Sequence, residues 1–222
     1  MFVYAFGEQT ANNQFNIVHK GTTMRIPSRE NCYRLIREMR MMEHIVRHSL
    51  QVCRVAELLV QQLDEKGRTL NQDLVQAAAL LHDITKTRSL TTGEKHSESG
   101  CDLLVDRGYA EVGDIVRQHV KLDTYFASDT PSEAEIVNYA DKRVLHDRIV
   151  GLDERMAYIL ERYGATPEYR ARLRWLWDIS NIQEKRIFAK IPFPPADIVR
   201  HMEKVDLAVE LQKVLAPIEP LV

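Results

Sequence analysis

The run Leu74-Val75-Gln76-Ala77-Ala78-Ala79-Leu80-Leu81 ends on His82-Asp83, and that ending constrains the chain more than any other feature. The run is a strongly apolar helix, of the kind that a folded chain buries. An imidazole and a carboxylate at the end of a buried element make poor core material. A carboxylate away from water is costly unless it is paired or bound to a metal. Side by side, the two groups resemble half of a site for a hard or borderline divalent cation. The rest of the chain should then bring further ligands to the end of this helix.

Downstream of Pro27 the apolar residues fall three and four apart almost everywhere. The spacing predicts helices over 29–40, 42–65, 71–84, 96–107, 109–120, 131–150, 152–163, 167–189 and 195–215. Ser28 is the expected cap of the first. Breaks fall at Gly67, Gly93, Gly108, Pro131, Gly151, Gly164 and Pro192-Phe193-Pro194-Pro195. No β-alternation of useful length follows residue 26. Before it, residues 2–6 and 15–18 read as two short strands or an irregular extension, and Met24 is a candidate initiator because the ordered pattern begins just after it. The expected class is all-α. A helical bundle spans 27–165, a short irregular or two-stranded extension covers 1–26, and further helices over 166–222 pack on the bundle as scaffold or partner surface.

Bulk properties exclude several roles. The chain has 222 residues, 45% of them hydrophobic, enough for one sizeable core. A net charge of −2 gives no electrostatic case for nucleic acid as a partner. Cys32, Cys53 and Cys101 are odd in number and form no CxxC pair, which fits free thiols in a reducing cytosol. No basic start with a long apolar run marks a signal peptide, and no apolar stretch is long enough to span a bilayer. The expected location is cytoplasmic, with no membrane partner.

Several polar residues lie on faces that should be buried. His48 falls inside the stripe Ile45, Val52, Val55, Ala56, Leu59 and Leu63, while His44 sits nearer its edge. Asp141 shares a face with Val137, Ala140, Val144 and Leu145, and His119 continues the row Val112, Ile115, Val116. His96 opens its helix on the side of Gly100, Leu103 and Leu104. Each has a bland reading. A lone inward histidine is usually a core residue bonded to a backbone carbonyl, an inward aspartate is usually a salt-bridge partner, and Lys86 could complement a helix C-terminus. Together they would leave a core full of unsatisfied groups, which one coordinated cation would resolve. The set has no thiolate. It therefore argues against a structural zinc site and for Mn, Fe, Mg, Zn, Co or Ni with open coordination positions. His146-Asp147 repeats the dipeptide but reads as a surface or supporting pair, and Trp175 and Trp177 read as core or subunit-contact residues.

The arrangement His48 … His82-Asp83 … Asp141 resembles the signature of the HD-domain metal-dependent phosphohydrolases. Arg47-His48-Ser49 resembles their first motif, and Leu81-His82-Asp83-Ile84-Thr85-Lys86 resembles the second, commonly HDIGK. His96 with Gly100 is similar to the HxxxGA segment of members with extra histidines. Ile115-Val116-Arg117-Gln118-His119 and Tyr139-Ala140-Asp141-Lys142 resemble the last two motifs. Thr85 stands where glycine is usual. No HHExxDGxGYP run follows His119, which speaks against the cyclic-di-GMP phosphodiesterase branch. His96 and His119 together resemble the two-metal branch, which includes the HD-type symmetrical dinucleoside tetraphosphatases.

The resemblance implies an all-helical HD fold with the site between helices. His48, His82, Asp83 and Asp141 would hold one divalent ion. Asp83 would bridge to a second, completed by His96 and His119. Arg47, Lys86 and Arg143 would meet phosphate, and Glu43 and Asp123 are weak choices for a proton relay. The implied function is hydrolysis of a phosphoester or phosphoanhydride in a small nucleotide-like substrate by metal-activated water. The alternative is a non-catalytic metal- or nucleotide-binding HD sensor module. A homodimer formed through the C-terminal helices is a further expectation.

Overall fold

The computed structural model describes residues 24–64 and 70–216, so the strand reading at 2–6 and 15–18 lies outside the described residues. Small polar caps set many of the helix starts. Ser28 accepts the Asn31 amide and opens α1 (Arg29–Glu38), and a turn through Arg40 leads to α2 (Glu43–Leu63). Asn71 accepts the Leu74 amide and opens α3 (Gln72–Leu81). Then come α4 (Lys86–Thr92), α5 (His96–Asp106) and α6 (Ala110–Gln118). A reciprocal capping box between Ser132 and Glu135 opens α7 (Glu133–Lys142). The chain continues through α8 (Leu152–Tyr163), α9 (Pro167–Phe188), α10 (Ile198–His201) and α11 (Leu207–Leu215). Thr166 with Pro167 starts α9, and Asp206 caps α11.

The apolar sequence of α3 has its explanation in position. This helix contacts α1, α2, α6 and α7, and every residue from 77 to 85 is buried. Its C-terminal end, His82 included, therefore sits inside the bundle. α2 and α7 flank it and also meet each other, while α5 packs on α6. α8 and α9 pack on each other and reach the bundle through α7. α11 lies across α1 and α2, where Arg37 Nη1 donates to the Val214 carbonyl at 2.7 Å and the Tyr33 hydroxyl donates to Glu210. Cys32 and Cys53 are buried free thiols and Cys101 is partly exposed. Among the described residues no helix is long and apolar enough to cross a membrane. The class is all-α, with one small two-stranded sheet among the described residues.

Three segments differ from the spacing-based expectation. The helix expected over 131–150 stops at Lys142, and an antiparallel pair follows, β1 (Val144–Leu145) with β2 (Arg148–Ile149). Val144 and Leu145 are buried as expected, but as strand residues. The turn between the strands puts His146 at φ 58, a left-handed conformation that no helix accommodates. α4 was not anticipated because none of its residues is buried and so it carries no apolar stripe. The single helix expected over 195–215 is instead a 3-10 turn at Pro195–Asp197, the short α10, and α11 after a non-helical stretch at 203–206.

Candidate metal centre

The three ring-bearing positions His48, His82 and His119 are held in the same way. His82 and His119 stand at the C-caps of α3 and α6. Nδ1 of His82 faces the Ala79 carbonyl at 2.8 Å, and Nδ1 of His119 faces the Val116 carbonyl at 2.6 Å. Nδ1 of His48 faces the His146 carbonyl at 2.9 Å. A nitrogen opposite a carbonyl can only be the donor, so each Nδ1 carries the proton. A neutral ring of this tautomer presents a bare lone pair at Nε2, which is the form that binds metal.

All three Nε2 atoms point into one space. His48 Nε2 lies 2.9 Å from Asp141 Oδ1. His82 Nε2 lies 3.5 Å from Asp83 Oδ2 and 3.9 Å from Asp141 Oδ1. On the other side of Asp83, its Oδ1 is 3.1 Å from His96 Nε2 and 3.7 Å from His119 Nε2, and the two imidazole nitrogens are 3.1 Å apart. Asp83 thus belongs to two ligand triads, one with His48 and His82 and one with His96 and His119. Ligand atoms about 2.1 Å from an ion and at right angles lie about 3.0 Å from each other, close to these spacings.

Electrostatics match that reading. Burial lowers His82, against the pull of Asp83 and Asp141. Burial, then the neighbouring His82, pushes His119 down to about 3. Burial alone would raise both aspartates. The neighbouring His82 and the His96 hydrogen bond instead hold Asp83 well below the ordinary carboxylate range, and the His48 hydrogen bond and Arg155 do so for Asp141. Each carboxylate therefore keeps its charge only with a cationic partner beside it, a proton on a neighbouring ring or a metal ion.

With neutral rings the set contains acceptors facing acceptors. His82 Nε2 is buried and has no hydrogen-bond partner. A neutral His48 could not hold its 2.9 Å contact to Asp141 without a second proton or a cation. A divalent ion fits the donor set and supplies what the orphaned nitrogen lacks.

Surrounding residues fix the ligands. The Thr85 hydroxyl, in place of the usual glycine, is 2.8 Å from the His96 carbonyl and 2.9 Å from the Ser99 hydroxyl, tying α5 to the end of α3. Buried Asn138 donates to the carbonyls of Gln118 and His119 and accepts from Lys142. Burial pushes Lys142 down to about 8, against the pull of Asp141. Lys86 Nζ stands 3.4 Å from Asp83 Oδ1 and 3.3 Å from His96 Nε2, with a third of its side chain exposed.

Other expected site residues have partners outside the two triads. Arg143, expected at phosphate, is buried and turned away. It lies two residues beyond Asp141, on the opposite side of the helical path, and its guanidinium serves Val150 O, Tyr139 Oη, Glu184 and Pro195 O. Arg47 pairs with Glu43, and Asp123 pairs with Arg117, all as surface ion pairs. His44 is exposed. The helices after 150 carry no candidate ligand cluster in the sequence, yet Arg155 of α8 reaches to 3.7 Å from Asp141. Its place in the acidic run Asp153-Glu154-Arg155 reads as a solvated face, and only Leu152 and Met156 beside it hint that this side of α8 turns inward.

The chain is similar to known proteins. A curated relative, an uncharacterized protein of Methanocaldococcus jannaschii, is 27% identical over 135 residues, covering 55% of this chain and 79% of its own. The crystal structure of a predicted HD superfamily hydrolase from an uncultured Thermotogales bacterium aligns with a TM-score of 0.42 at 24% identity, covering 74% of this chain and 94% of that one. The family model described as HD domain matches residues 45–144, a span that holds both triads and Asp141. Over that span the chain is similar to the HD-domain family.

Proposed function

We propose that the chain is a metal-dependent phosphohydrolase that cleaves a phosphoester or phosphoanhydride bond in a small, nucleotide-like substrate. One observation carries the reading. The buried His82 Nε2 has no partner and faces a group of imidazoles and carboxylates drawn from five segments of the bundle. A bound divalent ion supplies Lewis acidity toward phosphoryl oxygens and an activated water.

The chain's own residues do the rest. His48, His82, Asp83 and Asp141 would hold one ion, and His96 and His119 with Asp83 a second. The carbonyls of Ala79, Val116 and His146 keep the rings aimed. Lys86, partly exposed beside Asp83, sets a positive charge where a phosphoryl group would spread negative charge. The substrate is a free small molecule, without nucleic acid or membrane as partner, and the C-terminal helices are the proposed dimer surface.

Metal analysis of the purified protein should find a divalent ion in about stoichiometric amount. A nucleotide panel with Mn²⁺, Fe²⁺ or Co²⁺ should release phosphate, and His82→Ala and Asp83→Ala should abolish that release. Full activity in Asp83→Ala would overturn the proposal.

A further inference from the structure

Two arginines near α7 have opposite surroundings. Arg143 uses its donors on protein acceptors. The Arg155 side chain is 16% exposed, yet among the described residues it makes no hydrogen bond. Its Nε is buried without a partner, and Asp141 Oδ1 is 3.7 Å from Nη2, too far to accept a hydrogen bond. A buried Nε left unmet is costly, and a bound anion would relieve that cost. The planar fork matches phosphate, which it can grip through two parallel N–H groups.

The same face of α8 carries a second feature. Tyr158 is three residues past Arg155, one turn along the helix. Its ring meets the His146 ring edge-on, with centroids 5.3 Å apart and planes at 78°. Tyr158 is half-buried and His146 is exposed, so part of the pair faces solvent. His146 is also the residue whose carbonyl holds His48. The aromatic pair therefore lies beside the turn that steadies the His48 ring, one helical turn along α8 from the arginine that approaches Asp141.

We infer that α8, which lies beyond the matched HD span, is the substrate-recognition helix: Arg155 grips a phosphate at the metal centre, and Tyr158 with His146 packs against an aromatic base joined to it. The ligand class is a nucleoside phosphate. This rests on the phosphohydrolase reading of the same site and names the part of the fold that selects the substrate.

Calorimetric titration of the Mn²⁺-loaded chain with inorganic phosphate, AMP and ribose 5-phosphate tests it. Arg155→Gln should weaken all three about tenfold or more, equivalent to about 1.4 kcal/mol, and raise KM more than it lowers kcat. Its Mn²⁺ affinity should hold or rise, because a cation leaves the vicinity of Asp141. Arg155→Lys keeps the charge without the fork and should fall between. It serves as the working variant where Arg155→Gln does not fold. Tyr158→Leu should weaken AMP alone, about fivefold, and Tyr158→Phe should match wild type.

Unchanged phosphate binding in Arg155→Gln with only a lower Tm would overturn the inference, making Arg155 a mere counter-ion for Asp141. Equal wild-type affinity for AMP and ribose 5-phosphate would remove the aromatic half. A chain that takes up Mn²⁺ but no phosphate sinks this inference alone, whereas one that takes up no divalent ion sinks the phosphohydrolase reading.

Discussion

The chemistry of the site is decided at single nitrogens. A histidine ring has two, and binding the proton to one leaves the other as a lone-pair donor. His82 and His119 do this on neutral rings because burial disfavours their charged forms. The arginines show the converse, that a side chain's role follows its partners and not its place in a motif. Arg143 is a structural residue, so Arg143→Ala should cost about 3–5 kcal/mol in denaturant unfolding, since Tyr139 and Glu184 lose a buried partner. Its metal content should stay unchanged, and loss of metal with normal stability would contradict the assignment. The inward direction of His48, His119 and Asp141 was legible because the helical period places each beside known apolar neighbours. Arg155 was not, since a long side chain can start on a polar face and still reach the interior.

At the scale of elements, caps were legible and irregular joints were not. Ser28 marks α1 because its hydroxyl competes for a backbone amide close in sequence. The turn at His146-Asp147 depends on distant residues instead. Its carbonyls accept from His48 and from Gln51 Nε2, about a hundred positions earlier, and no local signal records that. Close approach of α5 to the core is set at Gly100. A Cβ there would stand 3.1 Å from Val116 Cγ1, 3.3 Å from Ile84 Cγ2 and 3.5 Å from Thr85 Oγ1. A larger side chain must push α5 outward and carry His96 with it. Gly100→Leu should therefore cost about 1–3 kcal/mol by thermal or denaturant unfolding. It should also weaken metal uptake at the His96 and His119 side more than at the His48 side, which stepwise metal titration would show. Equal loss on both sides would mean that Gly100 positions nothing in particular.

Across the whole molecule the site is an electrostatic liability that a cation removes. His119 has a folded pKa of about 3 against an ordinary 6.5, so it binds fewer protons folded than unfolded between those values. Its favourable contribution is complete above pH 6.5 and is lost as pH falls toward 3. His82 acts in the same direction, and the lowered carboxyls of Asp83 and Asp141 extend the loss below about pH 4. The metal-free protein should thus show a falling Tm from pH 7 to pH 5 in scanning calorimetry. Saturating metal at pH 7, a hundred times its Kd, should add about 2.7 kcal/mol. A flat Tm over that range would mean that the imidazoles are not buried as described.

One arrangement has a consequence for how this protein can change over time. The three rings that meet inside the bundle are steadied by main-chain oxygens of Ala79, Val116 and His146. A peptide oxygen is present whatever amino acid occupies the position. Drift at those sites can therefore alter packing or ligand preference while leaving the aim of the rings intact, as long as the backbone path survives.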